Sequence, residues 1–98
     1  MTYAVLWSRN DGPELAGRLT LDAGGVNLTA TATRCDLRFA DLADVYLERR
    51  LPSRHRWRPS LVLVTRTGEH VEIGSLQGAG ALLELAEEVA SRSGKPAT

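Results

Sequence analysis

Cysteine, histidine and lysine are almost missing from this chain of 98 residues, which holds one cysteine and two histidines. Its only lysine is Lys95. Cys35 has no partner for an internal disulfide, so a reducing cytoplasm is the expected setting. His55 and His70 lie far apart, with no Cys or Asp at ligand spacing, whereas a metal site needs several convergent ligands. No cofactor is expected. Long apolar runs are also absent: Leu61 to Val64 is typical, far below the ~20 residues of a membrane-spanning helix. The segment Met1 to Trp7 has no basic flank and no cleavage-type end, so it does not read as a signal peptide. Formal net charge is zero, so the chain as a whole makes no argument for a nucleic-acid or membrane partner.

Catalytic signatures are lacking too. The serines fall in turns, at strand ends or on the helix, without the adjacent base that activates a nucleophile. Gly78-Ala79-Gly80 precedes a helix but lacks the ending and the βαβ setting of a phosphate loop. Asp41 and Asp44, readable as an acid/base pair, are assigned to a short turn. Arg34 beside Cys35 is a feature that lowers a thiol pKa, but a buried or half-buried thiol at a strand start is expected. The chain reads as a non-catalytic protein rather than an enzyme.

What is present is an order of segments. Tyr3, Val5 and Trp7 alternate with Ala4, Leu6 and Ser8, a strand apolar on both faces. Asn10 to Pro13 is a turn cluster. Leu15, Gly17, Leu19 and Leu21 face inward on a second strand. Asp22 to Gly25 reads as a tight hairpin whose glycines supply positive φ. Val26, Leu28, Ala30 and Ala32 form the inner face of a third strand, and Leu37 and Phe39 that of a fourth. Asp41 to Asp44 breaks the alternation as a turn or one helical turn. Val45 and Leu47 belong to a fifth strand, Leu61 to Arg66 to a sixth, and Val71 and Ile73 to a seventh. Thr67-Gly68 is a two-residue hairpin signal. The one helix is expected from about Leu76 to Ser93, with Ala79, Leu82, Leu83, Ala86, Val89 and Ala90 as its apolar stripe. Ser75 or Gly78 is placed to begin it, and Gly94 then Pro96 to end it. Few aromatics are available: Trp7, Phe39 and Trp57 are expected in the core or at its rim, while Tyr3 and Tyr46 keep their hydroxyls wet.

The expected class is mostly β with one C-terminal α-helix: a seven-stranded antiparallel, partly open barrel capped by the helix. Residues 1–94 form a single domain, and residues 95–98 a loose C-terminal tail. The pattern resembles the pleckstrin-homology-like superfold, and most of all its small bacterial and GRAM-like versions. The residues that carry the likeness are the hairpin Gly17 to Val26, the segment Leu37 to Val45, the hairpin Leu61 to Ile73 and the helical Leu82-Leu83-Glu84-Leu85. Phe39, Asp41, Leu42 and Val45 match a recurring "aromatic, x, Asp, aliphatic, x, x, Val" pattern. The resemblance implies a fold and a habit of binding lipids, peptides or further copies of the same chain. Phosphoinositide binders of this superfold pair a basic residue near the end of the first strand with a basic-x-Arg set in the second. Arg9 and Arg18 fall at such positions, but Thr20 stands in place of the second-strand arginine, and inositol-phosphate binding is not carried over.

The sharpest local anomaly is Arg49 to Arg58. It contains Arg49, Arg50, Arg54, Arg56 and Arg58 with Trp57 and no acid, so the remaining residues hold seven basic and twelve acidic groups. If residues 54–58 are extended, Arg54, Arg56 and Arg58 share one face and His55 and Trp57 the other. Such a stretch is a solvated loop paired with acidic groups, a protein contact, or a binder of phosphate, membrane or single-stranded nucleic acid. The arginine, alanine, glycine and leucine bias suggests a GC-rich bacterial genome. The expected role is an interaction or adaptor module in a bacterial cytoplasm, its partner a protein or a further copy of itself in a homo-oligomer. The alternative is a peripheral binder of anionic lipid through Arg49–Arg58; a nucleic-acid partner is not favoured.

Overall fold

The computed structural model describes residues 2–10, 12–48 and 59–94. The strands are β1 (Thr2–Arg9), β2 (Leu15–Leu21), β3 (Gly25–Thr29), β4 (Arg34–Arg38), β5 (Leu42–Glu48), β6 (Ser60–Thr65) and β7 (His70–Ser75). A single 3-10 turn, Phe39–Asp41, joins β4 to β5, and the helix α1 spans Ala79–Ser93. All seven strands belong to one antiparallel sheet, ordered β4-β3-β2-β1-β7-β6-β5. The sheet curls into a half-barrel with β1 at its centre and β4 and β5 as its two edges. Two meanders, β1 to β4 and β5 to β7, are stitched together where β1 pairs with β7.

Period-two alternation decides which side of each strand is buried. Val5, Trp7, Leu19, Val26, Leu28, Val45, Leu61, Leu63, Val71 and Ile73 all lie at 1% exposure or less on the concave face. Fully burying each such aliphatic side chain is worth ~1.5–3 kcal/mol. Leu82, Leu85, Ala86 and Val89 of α1 close the core across β5, β6, β7 and the 3-10 turn. Polar ties hold the helix in place. Tyr3 Oη donates to Glu84 Oε1 at 3.1 Å, and Arg92 Nη1 donates to the Asp22 carbonyl at 3.2 Å. The first joins α1 to β1 and the second joins its C-terminal turn to the β2–β3 turn.

Several local expectations are corrected. Leu83 is not part of the buried stripe: it is 42% exposed, and Leu85 is fully buried in its place. The buried positions follow i, i+3, i+4, i+7 from Leu82, which turns the helix by roughly 50°, half a residue step, from the arc read in the sequence. Ala32 lies in the β3–β4 turn, exposed, because β3 ends at Thr29. Phe39 belongs to the 3-10 turn rather than to β4, although it is buried as expected. The β6–β7 loop is longer than two residues. Thr65 N–H donates to Glu69 O and Gly68 N–H donates to Thr65 O, so residues 66–68 form a three-residue loop that ends on Gly68 at φ 93.

The β2–β3 turn is also built differently from expectation. Neither Gly24 nor Gly25 has positive φ. Asp22 Oδ1 accepts the N–H groups of Gly24 and Gly25 at 2.7 and 2.8 Å, an Asx turn made by a side chain. Gly25 is needed for a different reason: a Cβ there would stand 2.1 Å from the Leu37 carbonyl. This close approach seats β4 against β3.

Candidate functional site

Each edge strand of the sheet carries backbone donors and acceptors that its own sheet does not use. The hydrogen bonds of the β3–β4 hairpin reveal which ones. Ala30 N–H donates to Thr33 O, and at the far end Phe39 N–H donates to Gly24 O. Antiparallel pairs alternate between bonded and non-bonded, so Cys35 and Leu37 face β3, and the N–H and C=O groups of Arg34, Asp36 and Arg38 face outward. They have no partner among the described residues. Alternation puts the side chains of these three residues in solvent and those of Cys35 and Leu37 in the core.

The β5 edge is different. Its ladder shifts register between Leu42 and Asp44, a bulge. There Asp44 Oδ1 accepts the Val45 N–H at 2.9 Å. A side chain thus occupies one of the two donors, Val45 and Leu47, that alternation turns outward on this edge. α1 also packs along β5. Bulges and covering elements are common ways of blunting an edge.

Beside β4 lies a cleft of about 250 Å³, walled by Asp36, Leu37 and Arg38 on one side and by Thr65, Arg66, Thr67 and Glu69 on the other, with Asp41 between them. Its far wall is the β6–β7 turn. That turn is tied to the 3-10 turn by Arg66, whose backbone N–H donates to Asp41 O at 2.9 Å and whose Nε donates to Ala40 O at 3.0 Å. Arg9 steadies Glu69 with an ion pair of 3.0 Å. The volume lies below the ~300–1,000 Å³ of typical small-molecule pockets. It suits one side chain better than a metabolite.

The charge along this edge alternates. Arg34 and Asp36 form an exposed ion pair at 3.1 Å. Such pairs are worth ~0–1 kcal/mol and are readily exchanged for other partners. Arg38, at the end nearest the cleft, has no ion-pair partner among the described residues. Cys35 is buried beneath the edge, and burial raises its thiol pKa above the ordinary value. The neighbouring Arg34 does not produce a reactive thiolate. Among the described residues no three His, Cys, Asp or Glu side chains gather as a metal site would require.

Arg49, Arg50, Arg54, Arg56, Trp57 and Arg58, the contact expected from the sequence, lie outside the described residues, as does the tail 95–98. Arg9 and Arg18 do not converge. Arg18 stands opposite Ala4, five residues along β1 from Arg9, about 17 Å at the usual rise per strand residue. The residues of the β4 edge are not among the contacts expected from the sequence. Its sequence signal, the alternation Arg34-Cys35-Asp36-Leu37-Arg38, is legible, but its position at the sheet margin is not.

No family model matches the chain, and no curated protein matches it in sequence. Solved structures do match, seventeen chains among them. One is the crystal structure of the C-terminal domain of an unknown protein from Leishmania infantum, with a TM-score of 0.75 and 10% sequence identity. The match covers 97% of this chain and 83% of that one. The likeness is one of fold. It shows a seven-stranded half-barrel with a C-terminal helix, recurring where the sequences have no more than a tenth of their residues in common. No helix among the described residues is long and apolar enough to cross a membrane.

Proposed function

We propose that this chain is a non-catalytic interaction module of the pleckstrin-homology-like superfold, acting in a bacterial cytoplasm with a protein as its partner. The strand order and the single C-terminal helix are compatible with that superfold. The observation that carries the reading is the β4 edge: three residues with outward backbone donors and acceptors, next to a cleft sized for a side chain. An extended polypeptide matches such an edge group for group.

The test is affinity capture with the full chain from its source organism, followed by chemical cross-linking mapped by mass spectrometry. A stoichiometric protein partner cross-linked near β4 or the β6–β7 turn supports the proposal. Exclusive, salt-sensitive sedimentation with anionic vesicles refutes it and assigns the function to the Arg49–Arg58 run, where five arginines at ~1 kcal/mol each supply the attraction.

A further inference from the structure

We infer that the β4 edge takes an extended peptide as an eighth, antiparallel strand, and that it selects segments whose alternate residues run acidic, basic, acidic. The inference rests on the proposed interaction role and names the partner's chemistry. Three features of the edge lead to it.

The first is that the β4 edge is regular, whereas the β5 edge is bulged and partly occupied. Arg34, Asp36 and Arg38 present outward N–H and C=O groups on β4 that have no partner among the described residues, whereas the Val45 N–H of β5 is already bonded to the Asp44 carboxylate. An added strand on β4 gains a bonded pair at each of the three outward residues.

The second is charge. Side chains opposite one another across an antiparallel pair share a face. Peptide residues opposite Arg38, Asp36 and Arg34 therefore lie on the exposed face beside a cation, an anion and a cation. The complementary sequence is acidic-x-basic-x-acidic. The demand is strongest opposite Arg38, which has no ion-pair partner among the described residues. A second copy of this strand fits poorly. Full-register pairing of β4 with itself sets Arg34 against Arg38 of the copy and Asp36 against Asp36 of the copy, placing like charges directly opposite. Sliding by two residues relieves the repulsion but leaves one outward residue of each strand unpaired.

The third is the cleft. The intervening peptide residues face inward, and the one opposite Leu37 enters the space bounded by Leu37, Thr65, Thr67 and Asp41. A medium aliphatic residue such as valine suits it. The β6–β7 turn, held by Arg66 and by the Arg9–Glu69 pair, then walls the far side of the added strand.

The test uses a fluorescein-labelled peptide, Thr-Glu-Val-Lys-Val-Glu-Thr, titrated with the full chain at low salt and followed by anisotropy. The expected result is saturable binding, with the charge-swapped peptide Thr-Lys-Val-Glu-Val-Lys-Thr at least tenfold weaker. Asp36→Pro deletes an outward N–H at an edge position that tolerates proline. It is expected to keep the circular dichroism and melting profile of the fold while weakening binding at least tenfold. The triple variant Arg34→Glu, Asp36→Arg, Arg38→Glu is expected to prefer the swapped peptide, a reversal that an unfolded protein cannot produce. Equal binding of both peptides, no binding, or an unaffected Asp36→Pro variant overturns the inference. So does a dimer that Asp36→Pro dissociates, since the edge then belongs to a second copy. If Asp36→Pro still captures the cellular partner while the peptide fails, the edge is wrong and the interaction role stands. If the wild-type chain captures no protein at all, the role itself fails.

Discussion

Replacing Gly17 by alanine tests how the half-barrel is closed at one end. A Cβ on Gly17 would stand 1.7 Å from the Thr29 carbonyl oxygen, 2.8 Å from its carbon and 3.2 Å from the Ala30 Cα. Side-chain Cβ atoms essentially never come closer than 3.0 Å to another heavy atom. The obstruction is backbone, so no rotamer relieves it, and the end of β3 must move away from β2 by over an ångström. Thr29 O also accepts the indole N–H of Trp7 at 3.1 Å, and Trp7 is 1% exposed. Overpacking costs ~1–3 kcal/mol, and stranding a buried donor costs ~1–3 kcal/mol more. We expect a loss of about 3–4 kcal/mol, a large share of the ~5–15 kcal/mol that holds a typical domain together. At ~4–8 °C per kcal/mol for a domain of this size, the melting temperature falls by at least ~12 °C. Urea unfolding followed by far-ultraviolet circular dichroism measures it. Gly80→Ala is the control: nothing lies within 4 Å of its added Cβ inside α1, so it stabilises by up to ~1 kcal/mol. A Gly17→Ala loss below ~1 kcal/mol would refute the account, being no more than an ordinary substitution costs.

Other outcomes follow from the same packing. Leu85→Ala empties a fully buried site and should cost ~2–5 kcal/mol, whereas Leu83→Ala, two positions away, should stay within ~0.5 kcal/mol; equal effects in urea melts would contradict the observed helix rotation. The Asn27 amide and the Gly24 and Gly25 N–H groups hold the Asp22 carboxyl below its ordinary range. Its contribution is complete above the unfolded value of ~3.9 and lost as pH falls through the lower folded value, so Asp22→Asn should flatten the acid limb of the stability curve. Burial, then the bond to Glu84, raises the Tyr3 phenol above its ordinary value. That contribution is full below ~10 and disappears as pH rises through the folded value, and Tyr3→Phe should weaken the alkaline dependence, leaving the part due to Cys35. Cys35 should resist alkylation at pH 8 in the folded chain and react readily in urea; fast labelling of the native protein would mean that the thiol is not buried.

The strands and the helix were legible in the chain because alternation and helical spacing are local. Val5, Trp7, Leu19, Leu21, Val26, Leu28, Val71 and Ile73 are buried where period two put them. The half-barrel with its C-terminal helix is that order folded. Boundaries and turns were less legible. Asp22, rather than glycine φ, makes the β2–β3 turn, and a short polar side chain and a glycine predict the same bend.

By itself the sequence determined which faces are greasy, how many strands there are and that a helix follows them, since each of these depends on neighbours a few residues apart. Only the tertiary structure decided that α1 turns Leu85 inward and Leu83 outward, because the apolar arc was wide enough for either and the sheet beneath it made the choice. The same holds for the edges: the segments around Leu37 and Phe39 and around Val45 and Leu47 both read as strands in the sequence. Which N–H groups point outward, and which one Asp44 occupies, depends on register between segments distant in the chain, where no local pattern reaches.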